Sequence, residues 1–103
     1  MMVMTISKRE AKKFLSDAPE EYVFRCTCGR TLRNMQELAD ELAAMTEEAF
    51  AYHVNAEKND FANWVRDIIG DKRLVEDLMR AKDRVTVAKL TSERVALLRK
   101  KSV

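Results

Sequence analysis

Apolar residues recur along this chain at helical spacing. Met35, Leu38, Ala39, Leu42 and Ala43 fall at i, i+3, i+4, i+7 and i+8, the signature of one buried stripe on an amphipathic helix. Phe61, Trp64, Val65, Ile68 and Ile69 repeat that spacing, and Leu74, Val75, Leu78 and Met79 form a shorter third stripe. Between the apolar positions of the first stripe, Glu37, Asp40 and Glu41 are expected in water. The boundaries carry their own signals. Asn34 is suited to cap the first of these helices, and Asn59 or Asp60 the second, after a short loop at 56–58. Gly70 stands where a helix ends in a left-handed residue, and Asp71 can cap the helix that follows. A further helix is expected after Thr46, with Glu47 and Glu48 in its first turn and Ala49, Phe50 and Val54 apolar beside Tyr52 and His53. Matching stripes with short connections imply antiparallel neighbours around one core.

The two ends of the chain read differently. Ser7-Lys-Arg-Glu10 is a capping box, so a helix is predicted over residues 8–16, stopped before Pro19. Only Ala11, Phe14 and Leu15 are apolar in it, which predicts a surface helix pinned by Phe14. Tyr22-Val-Phe-Arg-Cys26 is rich in β-formers, Thr27-Cys-Gly-Arg30 can make a turn with Gly29 at positive φ, and residues 30–33 can return antiparallel. Tyr22, Phe24 and Cys26 are expected to face inward. The last predicted helix, residues 83–101, aligns Val87, Leu90, Arg94 and Leu97, with Ala88, Thr91, Val95 and Leu98 alongside. Thr91 and Arg94 interrupt its apolar face. It either completes the bundle or projects and pairs with a copy of itself.

The fold class predicted is therefore mainly α, a small multi-helix bundle with a short N-terminal β-hairpin. One domain is expected over 1–103: helix and linker at 1–21, hairpin and helical core at 22–79, and a basic C-terminal helix at 80–103. Composition agrees, with 47% hydrophobic and 35% charged residues but only two Gly and one Pro, too few turn formers for an all-β chain. No apolar run is long enough to span a bilayer and the start lacks a secretory h-region, so a soluble, cytoplasmic protein with no membrane partner is expected. The two cysteines, Cys26 and Cys28, are spaced poorly for bonding each other and are expected reduced. A net charge of +2 conceals an acidic middle, residues 35–79, and a basic end, residues 80–103. Either the last helix packs across the acidic ones, or its charge marks a partner surface.

Three stretches then resemble a known family. Phe24-x4-Gly29-x2-Leu32-x-Asn34-Met35-x-Glu37-Leu38, Glu48-x-Phe50-x2-His53-Val54-Asn55 and Asn59-Asp60-Phe61-x2-Trp64-Val65-x-Asp67-x2-Gly70-Asp71-x2-Leu74 resemble a prokaryotic family known as domain of unknown function 5752. The resemblance covers residues 22–79. It implies a strand-turn segment before helices and, because members occur alone or within longer chains, an accessory or binding module. It supplies no reaction, and on the residues themselves no cofactor is expected.

The candidate chemistry is sparse. His53, Asn59, Asp60 and Trp64 are the one cluster of mixed chemistry. As a site, Asp60 would orient His53 as a general base with Trp64 as a stacking wall, but no nucleophile stands beside them. As structure, Asp60 caps its helix, His53 bonds to that cap and Trp64 fills the core. A metal reading would take Cys26, Cys28 and His53, short of the usual four ligands. Lys89, Arg94, Arg99, Lys100 and Lys101 are the candidate contacts for nucleic acid or a protein partner. No aromatic residues interleave with them, as single-strand binding would favour. The leading expectation is a non-catalytic protein-interaction or accessory module, as partner of another protein or of its own copy. The alternatives are a nucleic-acid binder through the last helix and a small metal or enzymatic domain centred on His53.

Overall fold

The computed structural model describes residues 6–27 and 29–103. Helix α1 (Lys8–Leu15) opens on the predicted capping box, both of whose hydrogen bonds form. It buries Ala11 and Phe14 against the last helix, so the residue expected to pin it does so. A 3-10 turn (Glu20–Tyr22) leads into a hairpin, β1 (Phe24–Arg25) paired antiparallel with β2 (Thr31–Leu32), Phe24 opposite Leu32. The hairpin is shorter than the run of β-formers predicts. Phe24 and Cys26 face the core as expected, but Tyr22 is 55% exposed. The 3-10 turn after Pro19 takes Tyr22 out of strand alternation, so its side chain no longer shares a face with Phe24. Gly29 turns the hairpin at φ +90°, its N–H donating to the Cys26 carbonyl.

Helix α2 (Met35–Ala44) starts at Asn34, whose side chain accepts from the Glu37 amide. Met35, Leu38, Ala39 and Leu42 are buried, whereas Ala43 is exposed. Glu41, expected in water, is also buried and pairs with Arg30 of the hairpin at 3.3 Å. Helix α3 (Glu47–His53) is capped by Thr46, and α4 (Asp60–Trp64) by Asn59. The helical stripe beginning at Phe61 does not stay α-helical to its end. Residues Val65–Ile69 form a π turn in which the Gly70 N–H donates to the Val65 carbonyl at 2.6 Å. Last-turn carbonyls have no partner within a regular helix, and the wider turn supplies one here.

Gly70 then takes φ +92°, a left-handed conformation that costs an L-residue about 1–2 kcal/mol. The nearest atom to an added Cβ is Phe14 Cε1 at 3.9 Å, an ordinary contact. Gly70→Ala is thus expected to lower stability by about 1–2 kcal/mol through backbone strain alone, measured by urea unfolding. Helix α5 (Lys72–Arg80), capped by Asp71, buries Leu74 and Leu78 and leaves Met79 exposed.

Helix α6 (Arg84–Lys101), capped by Asp83, completes the bundle. It packs chiefly on α2 and also on α1 and α5, through Val87, Thr91, Val95 and Leu98. Thr91 does not break this face, because its hydroxyl donates to the Val87 carbonyl at 2.8 Å and is satisfied inside the helix. Ion pairs and hydrogen bonds carry the rest. Arg84 reaches Glu47 and the carbonyls of Leu42 and Ala43, closing the end of α2, and Arg99 donates to Gln36. The protein is mainly helical with one antiparallel hairpin near its start. No described helix is long and apolar enough to cross a membrane.

Candidate functional site

His53 ends α3 and Asn59 begins α4, so a tight loop must bring the two helices together. Val54 and Asn59 form a β-bridge, the Asn55 N–H donates to the Lys58 carbonyl, and the Asn55 side chain accepts from Glu57. The loop turns His53 back over the start of α4. There its Nδ1 lies 2.9 Å from Asp60 Oδ2. On its other side the ring meets the hairpin, where Nε2 accepts from the Thr27 backbone N–H at 3.2 Å and lies 3.4 Å from Thr27 Oγ1. An amide N–H cannot accept, so Nε2 carries the lone pair and Nδ1 the proton, which it donates to Asp60.

The ring is 4% exposed. Phe24 and Phe61 pack on it with centroids 5.1 Å away, and Tyr52 presents an edge at the same distance. Both nitrogens are occupied and both faces are covered. A general base needs an open position toward a substrate, and His53 has none. The arrangement instead uses a polar residue to join three elements inside an aromatic core.

The neighbours act alike. Asn59 caps two helices at once: its Oδ1 accepts from the Ala62 amide at the start of α4, and its Nδ2 donates to the Leu78 carbonyl near the end of α5. Trp64 is buried with its indole N–H donating to the Tyr22 carbonyl at 2.7 Å, fixing the approach to β1. Asp60 does not cap α4; it takes His53 on one oxygen together with the Lys58 ammonium at 3.0 Å. Lys58 also sits over the Tyr52 ring at 4.5 Å. Partial burial pushes the Asp60 carboxyl up, but the hydrogen bonds from His53 and Lys58 outweigh it, and the group lies below its ordinary value of 3.8.

That direction fixes a pH dependence. A carboxyl with a depressed folded value contributes stability that is complete above its unfolded value and is lost as pH falls through the folded one. Acid unfolding below about pH 4 is therefore expected to draw on Asp60, and Asp60→Asn to flatten that acid limb in denaturation midpoints measured against pH.

The remaining candidates separate. Arg94 does not reach outward. Its Nε and Nη2 form a fork on Asp71 at 2.7 and 2.8 Å, with the two side chains 10% and 1% exposed. Lys89, Arg99, Lys100 and Lys101 are exposed. Cys26 is buried as a free thiol, and Cys28 lies outside the described residues. Among the described residues no three His, Cys, Asp or Glu side chains gather as metal ligands would. The sequence reading missed the backbone partners of this cluster, the Thr27 N–H and the Tyr22 carbonyl, which no side-chain pattern announces. Arg94 carried a partial signal, since a guanidinium on an apolar stripe must either reach water or find a partner in the core.

Neither a family model, nor a curated protein, nor a solved structure matches the chain.

Proposed function

We propose that this protein is a non-catalytic interaction or accessory module that binds another protein along α5 and α6. What supports this reading most is the engagement of His53 on both nitrogens within the core. That supports reading the His53 cluster as structure and recognition as a property of the surface. Between α5 and α6 runs an open groove of about 540 Å³, lined by Leu90 and Leu97 with Arg73, Arg80, Glu93 and Lys101 among its walls. Leu97 is 41% exposed there. A partly exposed leucine beside charged side chains is the composition of a surface that takes an amphipathic segment. The resemblance of residues 22–79 to the domain of unknown function 5752 family belongs to the same proposal, because an accessory module is what that family implies.

A photo-crosslinking residue placed at position 97 in the native cell tests it. The expected product is an adduct destroyed by protease and resistant to nuclease, reduced when Arg80 and Lys101 are replaced and unchanged in His53→Gln. An adduct removed by nuclease would overturn the reading in favour of a nucleic-acid binder, whose contacts would then include Lys89, Arg99, Lys100 and Lys101.

A further inference from the structure

The hairpin is too short to hold itself. Two paired positions make a marginal sheet in water, and stability must come from what it packs against. Three polar side chains grip its backbone from the helices. Trp64 takes the Tyr22 carbonyl at its entry, His53 takes the Thr27 N–H at its tip, and the Glu37 carboxylate accepts from the Arg33 N–H just past β2. The Trp64 grip is indifferent to pH. The His53 grip depends on the lone pair of Nε2.

We propose that His53 is a proton-sensitive latch, which holds the hairpin tip while neutral and lets go of its backbone when the ring is protonated. The geometry sets the sign. A proton added at Nε2 turns it from acceptor to donor, so two N–H groups then face each other across 3.2 Å. Thr27 Oγ1, 3.4 Å from the same nitrogen, is the acceptor within reach. The imidazolium can donate to that hydroxyl, but the Thr27 amide is left without its acceptor. On the other side of the ring Nδ1 donates to Asp60 in either state, and protonation turns that bond into an ion pair, so the ring stays anchored to α4 while it lets go of the hairpin.

Among the described residues, the charged and titratable groups around the ring are Asp60 of α4 and, through it, Lys58 from the loop, and Tyr52 from α3; the hairpin brings the Cys26 thiol next to Thr27 in the chain. Arg30, on the return of the hairpin, stays paired with Glu41. Asp60 remains a carboxylate through the range in which histidine titrates, since its carboxyl is held low. The device therefore rests on one proton at one atom.

The test is an NMR titration of the full chain from about pH 8 to about pH 5, the range in which histidine charge changes. At the upper end the His53 imidazole nitrogens are expected to report a proton on Nδ1 and a bare Nε2. On acidification the Thr27 amide should move with the same midpoint as the ring. Exchange of the Thr27 amide, corrected for the intrinsic pH effect, should quicken about tenfold, as local opening does, while the Trp64 indole proton stays protected. In His53→Gln, which can donate to Asp60 and accept from Thr27 without titrating, the hairpin should show no step. A proton on Nε2 at pH 8, a ring that stays neutral throughout, or a Thr27 amide that ignores the ring's titration would each overturn the latch. If His53→Gln does not fold, the ring and amide signals of the unaltered protein decide alone.

Discussion

Arg94→Ala is expected to cost about 3–5 kcal/mol, the loss seen when one member of a buried ion pair is removed and the other is stranded. Asp71 is 1% exposed, and its two oxygens accept the whole guanidinium fork. Without Arg94 the carboxylate would remain buried with one further bond, from the Leu74 amide at 3.3 Å. Asp71→Ala should cost at least as much, because it also removes the cap of α5, a loss of about 1 kcal/mol by itself. The pair should be strongly non-additive. Replacing both residues by apolar ones of similar volume, Asp71→Leu with Arg94→Met, should recover most of the loss, since neither charge is then left in the core. Urea unfolding of the two single variants and the double variant measures this. Equal and additive losses would mean that the pair is solvated and that α6 is held by packing alone.

Phe61→Ala is the second large loss expected, about 3–5 kcal/mol for a buried phenylalanine truncated to alanine. Phe61 is fully buried at the start of α4 and touches every aromatic layer around it: Phe24 of the hairpin at 5.0 Å, Phe50 of α3 at 6.2 Å and the His53 ring at 5.1 Å. The cavity would open beside His53, which holds the hairpin, and beside Phe24 of the hairpin itself, so collapse to fill it would displace them. Phe61→Leu should cost less, because most of the volume is kept. The informative readout is local. Exchange of the Thr27 and Cys26 amides should rise in Phe61→Ala more than exchange in the middle of α6, which is anchored elsewhere through Val87, Val95 and Leu98. A uniform rise across the chain would mean that the aromatic layer and the α2–α6 packing unfold as one unit.

The site was legible in its membership and largely illegible in its bonding. His53, Asn59, Asp60 and Trp64 do meet the same small region, yet the role assigned to Asp60 as a helix cap belongs to Asn59, and Asp60 instead carries His53 and Lys58. Asn and Asp stand side by side and either can cap, so the choice fell to which one the loop turns toward His53. Trp64 was legible as core from its place on a stripe, but its indole bond reaches a carbonyl 42 positions away.

What the sequence determined by itself is most of the helix starts and the main buried stripes, which are set within about one helical turn. Ser7, Asn34, Thr46 and Asp71 cap their helices because a cap joins a side chain to an amide three positions on. Gly29 and Gly70 take positive φ because they lack a Cβ. The buried stripes follow from periodicity. What only the tertiary structure decided is which long side chains meet. Arg94 finds Asp71 across 23 positions and His53 finds the Thr27 amide across 26, while Glu41 is buried rather than solvated because the hairpin brings Arg30 over α2. Those meetings depend on how elements cross and on a one-turn change of hydrogen bonding at Val65–Ile69. A buried charge or imidazole is tolerated only where its partner arrives, and that arrival is a property of the packed bundle.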